Sequence, residues 1–150
     1  MPQSLSNVMV HVVFSTKNRL PVITPEVQPK LYGYMFGILS GINCHAIRIG
    51  GTLDHVHALC VLGRAVSVAD LIEELKRQSS KWMKLQGESF RDFFWQRGYG
   101  AFSVSESNGP AVQRYINSQM AHHRKMDFQE EFRALLRRHR IEFDERYIWD

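Results

Sequence analysis

Apolar positions along the chain fall into separate blocks, each with its own period. Residues 8–15, VMVHVVFS, are β-branched and short and predict a strand. A loop rich in Pro and Thr covers 16–25. Residues 26–39 then put Val27, Leu31, Tyr34, Phe36 and Ile38 on a helix. Pro29 falls in its first turn, where a missing N–H does little harm, and Gly41 supplies a stop. Residues 44–49 and 53–62 predict two strands, with Gly50 and Gly51 as the turn between them. Over 67–86, Val68, Leu71, Ile72, Leu75, Trp82 and Met83 share one helical stripe with Ser79, behind Ser67 as N-cap. Residues 87–100 predict a loop anchored by Phe93, Phe94 and Trp95, and 101–105 a short strand. Asn108-Gly109-Pro110 opens a helix expected to run to about residue 125. Asp127 with Glu130 forms a capping box for a last helix ending near 139.

The order is β-α-β-β-α-β followed by two helices. That is the ferredoxin-like (RRM-like) plan, an α+β fold with an antiparallel sheet and two helices on one face. The helix after Pro110 is an addition at the C-terminal end. Neither repeats nor low-complexity segments interrupt the 150 residues, so a single domain over 1–150 is expected.

Composition narrows the partners. Nineteen Lys and Arg against fifteen Asp and Glu give a net charge of +4, a mild bias toward anionic partners such as nucleic acid. Cys44 and Cys60 lack metal-site spacing and sit in apolar runs, as buried thiols in a reducing compartment would. The start, MPQSLSN, has no basic and apolar leader, and no apolar run approaches the roughly 20 residues of a membrane span. A soluble cytoplasmic protein, with no membrane partner, is expected.

Chemistry concentrates at two places. In Asp54-His55-Val56-His57 the imidazoles sit at i and i+2 of a strand and therefore share a face. Together they can hold a divalent cation, with a third ligand needed; otherwise they are half-buried histidines bonded to the backbone. Asp54 points to the opposite face and suits a turn or supporting role. In the helix after Pro110, Tyr115 and Gln119 are one turn apart beside an apolar stripe of Val112, Ile116 and Met120. Tyr115 is either a nucleophile or a packing residue, and Gln119 either the missing ligand or a border amide. His122 falls on nearly the same face and is an accessory candidate for relaying a proton or binding phosphate, although capping, packing or solvation is the more ordinary role for such a residue. Arg77, Lys81 and Lys84, at i, i+4 and i+7, make a basic helix face suited to DNA or simply to solvent, and Arg137, Arg138 and Arg140 form a second basic cluster.

HVH at 55–57 followed by YINSQ at 115–119 resembles the single-tyrosine HUH transposases of small bacterial insertion sequences, the IS200-like transposases, including their domesticated repeat-associated relatives. HVVFSTKNR (11–19), KRQSSK (76–81), WQRGYGAFSVSES (95–107) and QMAHHRKMDFQEEF (119–132) extend the resemblance over nearly the whole chain. It implies a metal-dependent transposase that cleaves and rejoins single-stranded DNA through a 5′-phosphotyrosine on Tyr115, without ATP. It further implies Mg²⁺ or Mn²⁺ on His55, His57 and Gln119, a hairpin-containing strand as substrate, and a homodimer with shared active sites, the stripe on the tyrosine helix forming shared interface. The alternatives are a noncatalytic single-strand-binding module on the same fold, and a metal-dependent hydrolase that uses water.

Overall fold

The computed structural model describes residues 2–123 and 125–150. Four strands, β1 (Met9–Ser15), β2 (His45–Gly51), β3 (His55–Val61) and β4 (Gly100–Val104), form one antiparallel sheet in the order β2-β3-β1-β4. Helix α1 (Gln28–Gly41) joins β1 to β2, and α2 (Val68–Lys84) joins β3 to β4. This is the ferredoxin-like connectivity expected from the sequence.

Strand alternation decides which face carries chemistry. Val10, Val12 and Phe14 of β1, with Val56, Ala58 and Cys60 of β3, pack against Leu31 and Met35 of α1 and Leu71 and Leu75 of α2. Their neighbours in sequence, Met9, His11 and Val13 on β1 and His55, His57 and Leu59 on β3, therefore face the other way. That second face is covered by α3 (Gly109–Asn117), α4 (Gln119–His122) and α5 (Phe128–Arg138). Ser79, the one polar residue on the stripe of α2, is buried and accepts a hydrogen bond from the Trp95 indole N–H at 2.9 Å. Ser67 caps α2 by accepting from the Asp70 N–H. Asp127 caps α5 by accepting from the Glu130 N–H. Cys44 and Cys60 are free and buried, and burial, reinforced by Cys44, pushes the Cys60 thiol up to about 12.

Two expectations need correction. Gly50 and Gly51 do not turn the chain; both belong to β2, paired with His57 and Val56, and the turn is made by Thr52, Leu53 and Asp54. The helix after Pro110 does not run unbroken to residue 125. It ends at Asn117, and Ser118 leaves helical geometry at φ −98° and ψ 16° before α4 starts. Ser118 donates its hydroxyl proton back to the Tyr115 carbonyl at 3.2 Å, the local competition with helix that serine offers. The expected interface stripe also divides. Ile116 is buried on its own sheet beside Met9 and Leu59, whereas Met120 is 51% exposed.

Candidate active site

His55 and His57 are both fully buried on β3, aimed at the layer formed by α3 to α5. Asp54 Oδ1 stands 2.8 Å from His55 Nδ1, and the Thr52 hydroxyl binds both groups. The Nδ1 edge of His55 is thus occupied, and its Nε2 points into the site. There it meets Gln119 Oε1 at 2.9 Å and Glu131 Oε1 at 3.3 Å. His57 Nε2 meets the same Glu131 oxygen at 3.0 Å, while its Nδ1 is 2.8 Å from His11 Nε2. The other carboxylate oxygen, Oε2, accepts hydrogen bonds from the Tyr115 hydroxyl and from Gln119 Nε2.

Glu131 therefore joins the two halves of the site that sequence spacing marked separately. It was not singled out from the sequence. The available signal was positional: Glu131 lies three residues after Phe128 and four before Leu135, on the buried face of α5. A carboxylate on such a stripe requires partners, because an unpaired buried charge is strongly destabilising. His123 was also missed; its Nε2 lies 3.1 Å from Glu131 Oε1. His122 is more peripheral, 3.9 Å from Glu131 Oε2, with its ring 5.3 Å from that of Tyr115.

The electrostatics follow from one buried anion among several imidazoles. Burial pushes Glu131 up, but hydrogen bonds from His123, His55 and His57 hold it far below the ordinary carboxylate range. Burial alone would discharge His55, yet its bonds with Asp54 and Glu131 raise it to about 9. His57, buried without a second acidic partner, shifts downward. Burial and the nearby His57 lower His11 to about 3, so His11 is neutral and able to give or take the proton it shares with His57. Burial, then the charge of Glu131, push the Tyr115 hydroxyl far above its usual range, so the resting phenol is protonated.

The donors suit a divalent ion. His55, His57 and Glu131 each offer a ligand atom, all within 4.8 Å of one another. Ligands at about 2.1 Å from an octahedral cation stand about 3 Å apart. The contacts of 3.0 Å between His57 Nε2 and Glu131 Oε1 and 2.9 Å between His55 Nε2 and Gln119 Oε1 are of that size. Two imidazole nitrogens beside a carboxylate and an amide oxygen form a mixed nitrogen and oxygen donor set for a divalent cation.

The sequence matches the family described as "Transposase IS200 like" over residues 4–119. The chain belongs to the IS200-like transposase family. The match spans His55, His57, Tyr115 and Gln119 but stops short of Glu131. The ISDra2 transposase TnpA of Deinococcus radiodurans is 26% identical over 114 residues, 73% of this chain and 81% of that protein. Two solved structures share the fold. A transposase structure from Deinococcus radiodurans aligns with a TM-score of 0.61 at 23% identity, covering 79% of this chain and 98% of that one. A REP-associated tyrosine transposase bound to a REP hairpin aligns with a TM-score of 0.60 at 13% identity, covering 82% and 72%.

Other expected residues lie elsewhere. Arg77, Lys81 and Lys84 are on α2, in the layer across the sheet from the histidines. Arg77 pairs with Glu74 at 2.6 Å, and Lys84 donates to Ser80 and stands 4.3 Å above the Phe94 ring. Among the described residues no helix is long and apolar enough to cross a membrane.

Proposed function

We propose that this IS200-like transposase cleaves and rejoins single-stranded DNA, with Tyr115 as nucleophile and His55, His57, Gln119 and Glu131 as the polar groups around it. The observation that carries the proposal is the convergence on one carboxylate. Glu131 takes the Tyr115 hydroxyl on one oxygen and both histidines on the other. A core tyrosine needs no such neighbours.

In the reaction the Tyr115 oxygen forms a bond to the scissile phosphorus as the bond to the 3′ oxygen breaks. Glu131 Oε2 accepts the hydrogen bond of the phenol and orients its oxygen, and the proton passes on to solvent because the carboxylate is held too acidic to keep it. The departing oxygen takes up a proton from water and leaves as a 3′ hydroxyl. The product is a 5′-phosphotyrosine. A phenol is a better leaving group than a sugar alkoxide, so a later attack by a 3′ hydroxyl reseals the strand without ATP. His55, His57, Glu131 and Gln119 would hold Mg²⁺ or Mn²⁺, which supplies Lewis-acid polarisation of the phosphate. Asp54 fixes the ring of His55, and His11 that of His57. His122, beside Tyr115, is an accessory group for phosphate or proton.

The substrate proposed is a hairpin-containing single strand in the cytoplasm, in keeping with the relative bound to a REP hairpin. Arg77, Lys81 and Lys84 would serve such a strand as a remote basic face. For assembly, the resemblance favours a homodimer with shared sites, yet here Tyr115 meets His57 and Glu131 of its own chain. In a homodimer with shared sites the partner's tyrosine helix would take that place. The test of function is incubation with labelled hairpin-containing single strands and Mg²⁺ or Mn²⁺. A protein–DNA band surviving denaturation, absent for Tyr115→Phe, is expected. A cleaved strand without that band would instead favour the water-using hydrolase, and tight binding with neither result the noncatalytic module.

A further inference from the structure

Tyr115 has a second neighbourhood. Away from Glu131 it lines a cavity of about 380 Å³ between β4, α3 and α5. That size is within the range of small-molecule pockets, about 300–1,000 Å³. The stacked rings of Phe102 and His139, with centroids 4.4 Å apart, give it an aromatic wall. Arg138 supplies a cation at its edge. Asn108 stands at the N-cap position of α3, yet its side chain makes no capping bond, which leaves its amide free to face a ligand. The proposed mechanism uses none of these four residues.

We propose that this cavity receives the nucleotide that stays bonded to Tyr115 after cleavage, the first on the 3′ side of the cut. The inference rests on Tyr115 being the nucleophile. In an in-line displacement the attacking and leaving oxygens lie on opposite sides of phosphorus. The strand ending in the 3′ hydroxyl therefore departs away from the tyrosine. The retained nucleotide is joined through its 5′ oxygen, to the side of that line, and a pocket sharing a wall with the tyrosine is within its reach. The chemistry of the walls fits a nucleotide. Aromatic faces hold a base, an amide offers a donor and an acceptor to a base edge, and a guanidinium pairs with a phosphate. The consequence is a base preference at one position, read by the protein rather than by pairing within the DNA.

The probes are the four 5′-deoxynucleoside monophosphates, which carry base, sugar and 5′ phosphate as the covalent product does. They are titrated into the full chain by NMR, with the 3′-monophosphates as controls. Saturable shifts at the Asn108 side-chain amide and the His139 ring are expected, stronger for the 5′ isomers and unequal among the bases. Asn108→Ala should weaken binding about five- to tenfold, the worth of one hydrogen bond, and level the base preference. Ala111→Trp, at an exposed position on the cavity wall, should abolish binding while the remaining spectrum stays folded. No saturable shift, binding untouched by Ala111→Trp, or equal affinity for 3′-monophosphates would each overturn the inference. Adducts at Tyr115 without nucleotide binding sink the pocket alone. Nucleotide binding without any adduct contradicts the nucleophile, and with it the occupant assigned here.

Discussion

Glu131 presents its two oxygens to two tasks, one toward His55 and His57 and the other toward Tyr115. Replacing it with glutamine keeps the shape but removes the charge that balances the imidazoles. Glu131→Gln should weaken Mn²⁺ binding in calorimetry and slow adduct formation by about 10²-fold, the cost of a misplaced nucleophile. Unchanged rates would return Glu131 to a purely structural role. Tyr115→Phe removes one oxygen and leaves Oε2 of Glu131 still bonded to Gln119, so stability should fall by only about 1 kcal/mol in urea unfolding. The four residues marked from sequence were legible because each pair obeys a local rule: i and i+2 on a strand for His55 and His57, i and i+4 on a helix for Tyr115 and Gln119. Glu131 meets His57 across 74 positions, and no local period expresses that contact. Only its misfit among the apolar residues of α5 could have marked it.

At the scale of elements, two glycines let helices approach the sheet closely enough to assemble the site. A Cβ on Gly50 would stand 2.9 Å from both the Cγ2 and the carbonyl oxygen of Ile116, the residue next to Tyr115. Gly50 is itself paired with His57, so its bare backbone sets the spacing between the tyrosine helix and the histidine strand. Gly50→Val should cost about 1–3 kcal/mol through overpacking and suppress adduct formation far more than the stability loss explains. Full activity in a folded Gly50→Val protein would show that α3 need not lie where it does. A Cβ on Gly100 would come within 2.6 Å of the Phe132 ring, which places α5 and hence Glu131. The order of elements and most of their stripes were legible from periodicity. The break at Ser118 was not, because Asn117 and Ser118 continue a helical pattern acceptably. The break coincides with the docking of Gln119 and Tyr115 on partners from β3 and α5.

For the whole molecule, a cation held only by the folded site must raise its stability. At a hundredfold excess over Kd the gain is about 2.7 kcal/mol, which for a chain of this length is a rise of several degrees in Tm. Chelation should reverse it, and His57→Ala should erase it; an equal rise in His57→Ala would place the ion elsewhere. Assembly is open to a complementation experiment with a purified mixed pair of His57→Ala and Tyr115→Phe chains. If each chain builds its own site, both sites carry one defect and no cleavage is expected. Restored cleavage would show a tyrosine helix serving the partner's histidines. Peptide mass spectrometry locates the atom to which DNA becomes joined, which the proposed chemistry places at the phenol oxygen of Tyr115. The denatured adduct is digested with protease and nuclease, and the fragment carrying a 5′-phosphate-linked nucleotide is sequenced. The account predicts that the mass is attached to the phenol of Tyr115 and to no other residue. A nucleotide on any other side chain, or a cleaved strand with unmodified Tyr115 throughout, would contradict it.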